Sequence, residues 1–166
     1  MEIKKVLFID FEASSLAENS FPIEVGLACI NEHEIQSESK LIKPDPCWDL
    51  TTWSGESEQL HGIAFAELQV AELASDVATW LAEAIAGHVL ISDAPAFDQR
   101  WLDMMLAIIG ANSSVQLHDF DALCGGLNLE QLRLIYGSLD ANPAPHRAGP
   151  DAARLAGAYG KGVTLR

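Results

Sequence analysis

The run V-L-F-I-D-F-E-A-S-S-L, residues 6–16, decides how the chain is read. Val6 to Phe11 has the β-branched and aromatic make-up of a strand buried on both faces. It runs into two acids, Asp10 and Glu12. Successive strand side chains point to opposite faces, so Val6, Phe8, Asp10 and Glu12 share one face and Leu7, Ile9 and Phe11 the other. Two carboxylates this close repel, and half-burying either is costly unless it is paired. A divalent cation offsets both costs, and magnesium prefers one or two carboxylates plus substrate oxygens and water. The plain alternative is an acid pair fraying into solvent at a strand end. D-x-E alone does not choose between them.

Outward from this strand (residues 4–12), A-S-S-L-A-E-N-S-F-P reads as a turn and residues 23–30 as a second strand. N-E-H at 31–33 reads as a hairpin turn, and residues 34–42 as a third strand, which makes an antiparallel meander. Residues 44–64 are loop-like, with Pro44, Pro46, Trp48, Trp53 and Gly55. Leu73, Val77, Trp80, Leu81, Ala84 and Ile85 recur at helical spacing. Residues 88–92 form a short buried strand. Asp93 then serves as N-cap of a helix opened by Pro95 and stopped at Gly110. V-Q-L-H, residues 115–118, is one more strand. Helices follow near 128–137, with Gly137 as C-cap, and near 150–160. This order predicts an α/β domain over residues 1–166: a mixed five-stranded sheet, an antiparallel meander of three strands and then parallel strands, flanked by helices.

The 166 residues suffice for one domain with a substantial core, and the 49% hydrophobic and 20% charged fractions are those of a soluble globule. No apolar stretch approaches a bilayer span, and the acids at 10 and 12 interrupt any signal-peptide core, so no membrane and a cytoplasmic location are expected. Cys29, Cys47 and Cys124 are far apart and odd in number, which indicates neither a zinc site nor a disulfide framework. A net charge of −14 argues against gripping duplex DNA through a broad basic surface. Two bound dications would still leave the chain acidic, so a short or single-stranded substrate is the compatible nucleic acid.

Two more stretches carry acids into helix first turns. In I-S-D-A-P-A-F-D-Q-R-W-L, residues 91–102, Asp98 follows Pro95, and Trp101 and Leu102 anchor its helix in the core. Acids are also favoured there by the helix dipole alone. In P-A-P-H-R-A-G-P-D-A-A-R-L, residues 143–155, Pro150 opens a helix with Asp151 in its first turn. His146 stands on a stiff proline-rich loop, where it could approach a water at the site, although a plain surface histidine is the commoner case for such a loop.

Taken in order, D-x-E at a strand end, F-D on a middle helix and H-x-x-x-x-D near the C-terminus resemble the DEDD superfamily of 3′→5′ exonucleases, in its histidine-containing branch. That branch includes polymerase proofreading subunits, oligoribonucleases and ribonuclease T-like enzymes. P-I-E-V-G, L-H-G-I at 60–63 and H-R-A-G-P-D-A are each similar to family stretches, so the likeness covers nearly the whole chain. It implies a ribonuclease H-like fold and two divalent cations, Mg²⁺ or Mn²⁺. Asp10 would bridge the two ions, Glu12 and Asp151 would complete the first shell, and Asp98 would hold the second ion directly or through water. His146 would take a proton from the attacking water. Single-stranded or short DNA or RNA 3′ ends would be the partners, and nucleoside 5′-monophosphates the products. Ala13, Ser14, Leu16, His61 and Arg147 are the substrate-contact candidates. With no docking segment expected after residue 160, a free-standing enzyme, monomer or homodimer, is favoured over a proofreading subunit. The alternative is an inactive binding module that kept the fold.

The chain departs from that family in A-S-S-L, where relatives carry Thr-Gly-Leu. Ser15 replaces the glycine, so any φ > 0 there would be strained. It also has Ser92-Asp93 where relatives have His-Asn. Tyr136 and Asp140 match the Y-x-x-x-D of a tyrosine branch, but Tyr136 closes a helical pattern and reads as core or interface. His118, Asp119 and Asp121 read as turn and cap. His33 and His88 have no evident partner. Trp48 and Trp53 divide between base stacking and core packing. Arg100 and Arg154 read as local ion pairs with neighbouring acids.

Overall fold

In the computed structural model, which describes residues 5–32, 34–111 and 114–163, the first run folds as expected. Strand β1 (Val6–Ala13) pairs antiparallel with β2 (Pro22–Asn31), which pairs antiparallel with β3 (Glu34–Lys43). His33 and Lys4, both within the sequence reading, lie outside the described residues. β5 (Val89–Ser92) runs parallel to β1, and β6 (Leu117–Asp119) runs parallel to β5. A two-residue strand, β4 (Glu72–Leu73), adds to the far edge of β3 and makes the mixed sheet six-stranded, in the order β4-β3-β2-β1-β5-β6. Glu72 and Leu73 are too short a pair to leave a period-2 signal. Parallel pairing at Ile42–Lys43 fixes them instead, with the Lys40–Glu72 ion pair at 2.8 Å beside it.

The period-2 argument gives the correct faces. Leu7, Ile9 and Phe11 pack with Val25 and Leu27 under α3 (Ala74–Ile85) and α4 (Pro95–Ile108), through Val77, Leu81, Trp101, Leu102 and Met105. Phe8, with Ala28 and Ile91, packs on the other face under α7 (Ala148–Val163), through Ala152, Leu155 and Ala156. A third cluster, Phe21, Ile23, Ile63 and Leu68, closes the end of the sheet with Trp48 and Trp53. Trp48 stacks on Phe21 at 5.7 Å between centroids and Trp53 meets Phe65 at 5.1 Å, so both tryptophans take the packing role.

The segment read as loop holds α1 (Gly55–His61), N-capped by Ser54 and ended by Gly62 at φ 68°. The short helix α2 (Phe65–Leu68) follows it. α5 (Phe120–Cys124) is capped by Asp119, as the cap reading of that acid expects. Three local expectations are corrected. Asp93 is not the N-cap of α4: Ala94 holds that position, and the Ser92 hydroxyl accepts the Ala94 N–H at 2.9 Å instead. Gly137 does not stop α6 (Leu129–Ala141), because the helix continues through it to a cap at Asn142. α7 begins at Ala148, two residues before Pro150, with the proline inside its first turn, where no intrahelical N–H is lost.

Helix α7 lies directly on β2. A Cβ placed on Gly26 would stand 2.1 Å from the Ala148 carbonyl carbon and 2.3 Å from the Gly149 nitrogen. Gly26 pairs with Asp10 in the β1–β2 ladder, so this contact sets the height of the α7 N-terminus above the acids. Gly26→Ala should lower the melting temperature by the equivalent of at least about 1–3 kcal/mol, the usual cost of overpacking, because backbone rather than a flexible side chain blocks the methyl group. Thermal denaturation followed by circular dichroism measures it; an unchanged midpoint would contradict this packing.

Candidate metal centre

Asp10 and Glu12 reach the carboxyl end of β1, on the face that α7 covers. The first turn of α7 brings Asp151 to them. One carboxylate oxygen of each of the three can lie within 4.8 Å of the others. Asp151 is fixed by its own helix start: its N–H donates to the Arg147 carbonyl at 2.8 Å, and its Oδ2 accepts the Arg147 N–H at 3.0 Å. Its Oδ1 is buried with no hydrogen-bond partner.

Asp98 is buried in the first turn of α4 and lies outside this three-acid group, but its charge is the strongest of those acting on Asp10. Its Oδ2 accepts the Ser92 hydroxyl at 2.5 Å. Because Ser92 Oγ already accepts from Ala94, its single proton is directed at Asp98, and the carboxylate is held from one side. His146 stands on the loop before α7 in the left-handed region, φ 56°. Burial raises the Asp151 pKa, against smaller lowerings by the Arg147 backbone hydrogen bond and by His146.

The electrostatics follow from burial without a counter-charge. Burial, then repulsion from Asp98, Glu12 and Asp151, pushes the Asp10 carboxyl well above the usual range. Burial, then Asp151 and Glu24, pushes Glu12 up to about 8, against a smaller lowering by Arg147. Burial raises Asp98 to about 7, although the Ser92 hydrogen bond opposes it. Among the described residues the Lys and Arg ion pairs are Lys40–Glu72 and Arg147–Glu24, and neither neutralises these acids. Three converging hard oxygen donors, one of them orphaned, suit a dication such as Mg²⁺ or Mn²⁺.

The other candidates divide. A groove of about 260 Å³ beside Glu12 is lined by Ala13, Ser15, Leu16, Leu60, His61 and Trp101. Leu16 projects into solvent at its mouth, 72% exposed. His61 is buried, 4% exposed; its Nδ1 accepts the Ile63 N–H at 3.0 Å, and its Nε2 has no partner. As an acceptor, Nδ1 carries no proton, so the ring's proton lies on Nε2, and burial lowers the ring's pKa. Ser14 is engaged internally: its hydroxyl accepts the Phe21 N–H at 3.1 Å and meets Thr52 Oγ1 at 3.0 Å, and its N–H goes to the Phe21 carbonyl. Ser15 does not take a positive φ; among the described residues that are not glycine, only Glu32 and His146 do. The strain foreseen for a residue replacing glycine therefore does not arise. Arg147 is clasped to Glu24, Nε to Oε2 at 2.9 Å and Nη2 to Oε1 at 2.8 Å.

Arg100 and Arg154 make no pairs with neighbouring acids. Arg100 donates to the Glu18 carbonyl at 3.1 Å with its guanidinium over Phe97 and Trp101, and Arg154 donates to the Asn142 and Leu139 carbonyls at the end of α6. Tyr136 donates to Asp121 at 2.6 Å, with no part in the three-acid group. The sequence reading gave Ser92 and Glu24 no role. Glu24 left a signal: a lone acid in P-I-E-V-G-L-A, an otherwise buried run, must have a partner.

Carboxyls whose folded pKa is raised favour the fold below their unfolded pKa and lose that contribution as pH rises through the folded value. Metal-free protein should therefore melt at progressively lower temperature from pH 5 to pH 8.5. Asp10→Asn should melt higher than the parent at pH 8 in chelator, and Mn²⁺ should raise the parent alone. Calorimetric scans with EDTA and with Mn²⁺ check all three.

No family model and no curated protein matches the chain. Solved structures do. The metal-free E. coli ExoI–ssDNA complex superposes with a TM-score of 0.70 at 14% identity, covering 95% of this chain and 39% of that one. The nuclease domain of 3′hExo, a DEDDh family member bound to rAMP, gives 0.69 at 15%, covering 95% and 90%. A 3′-exonuclease in a structure of 3′-end-specific recognition of histone mRNA stem-loop gives 0.70 at 14%, covering 96% and 82%. The chain thus spans well under half the length of ExoI and most of the length of the other two. It has the mixed α/β, ribonuclease H-like fold of the DEDDh exonucleases.

Proposed function

We propose that the chain is a metal-dependent 3′→5′ exonuclease that removes nucleoside 5′-monophosphates from single-stranded or short DNA or RNA ends. The observation that carries the reading is the convergence of Asp10, Glu12 and Asp151 within 4.8 Å, with no Lys or Arg ion pair on them among the described residues. Asp10, Glu12 and Asp151 would hold one dication, and Asp10 with Asp98 a second. Two such ions supply a nucleophilic water at neutral pH and stabilise the leaving oxygen of an in-line displacement. His146 accepts the proton of the attacking water, the general-base task most often given to an imidazole. Ser92 keeps Asp98 from turning away. The exposed Leu16 and the groove behind it receive the last nucleoside, with Ala13 in the wall. The neutral His61 offers its Nε2 proton to a sugar or base oxygen there. Arg147, with Nε and Nη2 held by Glu24, has its remaining Nη1 to offer a phosphate. No helix among the described residues is long and apolar enough to cross a membrane, and three free cysteines fit a reducing cytoplasm.

The test is digestion of 5′-end-labelled single-stranded RNA and DNA with Mg²⁺ or Mn²⁺. A ladder descending from the 3′ end is expected from the parent. His146→Ala should lose about 10²–10⁴-fold in turnover, the range of a general base, and Asp10→Asn should show no detectable ladder, while Tyr136→Phe stays near the parent. No ladder from the parent would leave the inactive binding module as the better account, and a silent Tyr136→Phe with an active His146→Ala would reassign the base.

His61→Phe keeps the ring volume and removes the donor. It should weaken binding of the nucleoside 5′-monophosphate product, read by Mn²⁺-supported calorimetry, by about 5–10-fold, as for one neutral hydrogen bond. Equal affinity would remove His61 from the nucleotide site.

A further inference from the structure

Glu24 is a buried carboxylate, 1% exposed, directly across the β1–β2 ladder from Glu12. Three donors converge on its two oxygens: Arg147 Nε at 2.9 Å, Arg147 Nη2 at 2.8 Å and the Ala148 N–H at 3.0 Å. The same Arg147 is bonded twice to Asp151 through its backbone, N–H to Oδ2 at 3.0 Å and carbonyl from the Asp151 N–H at 2.8 Å. The residue just before it is His146, at φ 56°. A non-glycine residue holds that conformation only where its surroundings enforce it. The fixed neighbour on its C-terminal side is Arg147, clasped at side chain and backbone.

One carboxylate on β2 therefore ties down the segment 146–148. One end of that segment carries the proposed base, and its middle residue orients a proposed metal ligand. A fork–fork arginine–carboxylate contact also fixes orientation as well as distance.

We propose that Glu24 is a positioning residue. Acting through Arg147, it holds His146 in its left-handed conformation and sets the direction of Asp151 Oδ2. This rests on the exonuclease reading above. Its oxygens are taken up by Arg147 and Ala148, and its charge also acts on Glu12, so Glu24→Asp, which keeps that charge, is the control that isolates geometry.

Glu24→Gln is the informative variant. An amide has one acceptor oxygen for three donors, so at least one donor faces an NH₂ group. We expect kcat to fall about 10–100-fold with little change in KM, and Mn²⁺ affinity without substrate to fall by about 10-fold or more, the scale for groups that orient metal ligands. Glu24→Asp, which keeps both acceptors and the charge, should regain part of each loss. A folded Glu24→Gln with parental kcat and parental Mn²⁺ affinity, altered only in melting temperature, would overturn the proposal. If Glu24→Gln does not fold, Arg147→Met titrated with Mn²⁺ in the absence of substrate reads the same clasp, and unchanged affinity there overturns it equally. A parent that binds Mn²⁺ but digests nothing would remove the exonuclease reading, and the calorimetric comparison would still decide the clasp.

Discussion

At Gly26, the start of helix α7 rests on β2 with no side chain between them. Gly26 provides the gap, and Gly149 repeats it against Ser39, whose Cβ would be 2.9 Å from a Cβ on that glycine. This contact delivers Asp151 to Asp10 and Glu12. It crowds negative charge into a place that the protein leaves unneutralised. Two full charges 4.8 Å apart repel by about 3.5 kcal/mol at an effective dielectric near 20. Protonating an ordinary glutamate at pH 7 costs about as much. Burial tips the balance toward the protonated carboxyls, and Glu12 rises to about 8. A dication does the same work by replacing those protons.

Much of this was legible in the sequence because the responsible patterns are local. Alternation in residues 6–12 fixed which face carries Asp10 and Glu12. Pro95 marked the start of α4, and Trp101 and Leu102 mark its buried side. The meander β1–β2–β3 followed from three consecutive strand patterns. What escaped is set across the chain rather than along it. The two residues of β4 are strand only because β3 lies beside them. α6 passes Gly137 because packing of its flank through Ile135 outweighs the local stop signal. Arg154 follows an acid by three positions, yet it serves carbonyls left open at the end of α6. Gly26 sat in a quoted motif, but its purpose depends on a helix more than a hundred residues away.

The candidate site shows the same division. Its acids were recognisable as types in an order, but their supports were not. Ser92 donates to Asp98 and Glu24 holds Arg147, and neither bond has a sequence spacing that would announce it. In the sequence, Ser14 is a substrate-contact candidate because A-S-S-L stands where the resembled family carries Thr-Gly-Leu. The structure turns it inward to join the loop at Phe21 to the segment at Thr52. The groove wall is then left to Ala13, Ser15 and Leu16. Here the departure from the familiar Thr-Gly-Leu lies in the side chains, since Ser15 has an ordinary backbone conformation.

The overall charge narrows how such a site can hold a nucleic acid. With 24 acids against 10 lysines and arginines, a long polyanion gains nothing from approaching most of this surface. Near the groove, Arg100 is turned onto Phe97, Trp101 and the Glu18 carbonyl, and Arg147 onto Glu24. Both lend rigidity more than attraction. On the exonuclease reading, attraction would come from the dications at one point, from Arg147 Nη1 beside them and from apolar contact at Leu16, Leu60 and the exposed Phe97. These would act on the end of a strand rather than along it. On that reading, dications held at one point of an acidic protein would favour a strand end, because an internal phosphate would meet the surrounding carboxylates before it reached the ions.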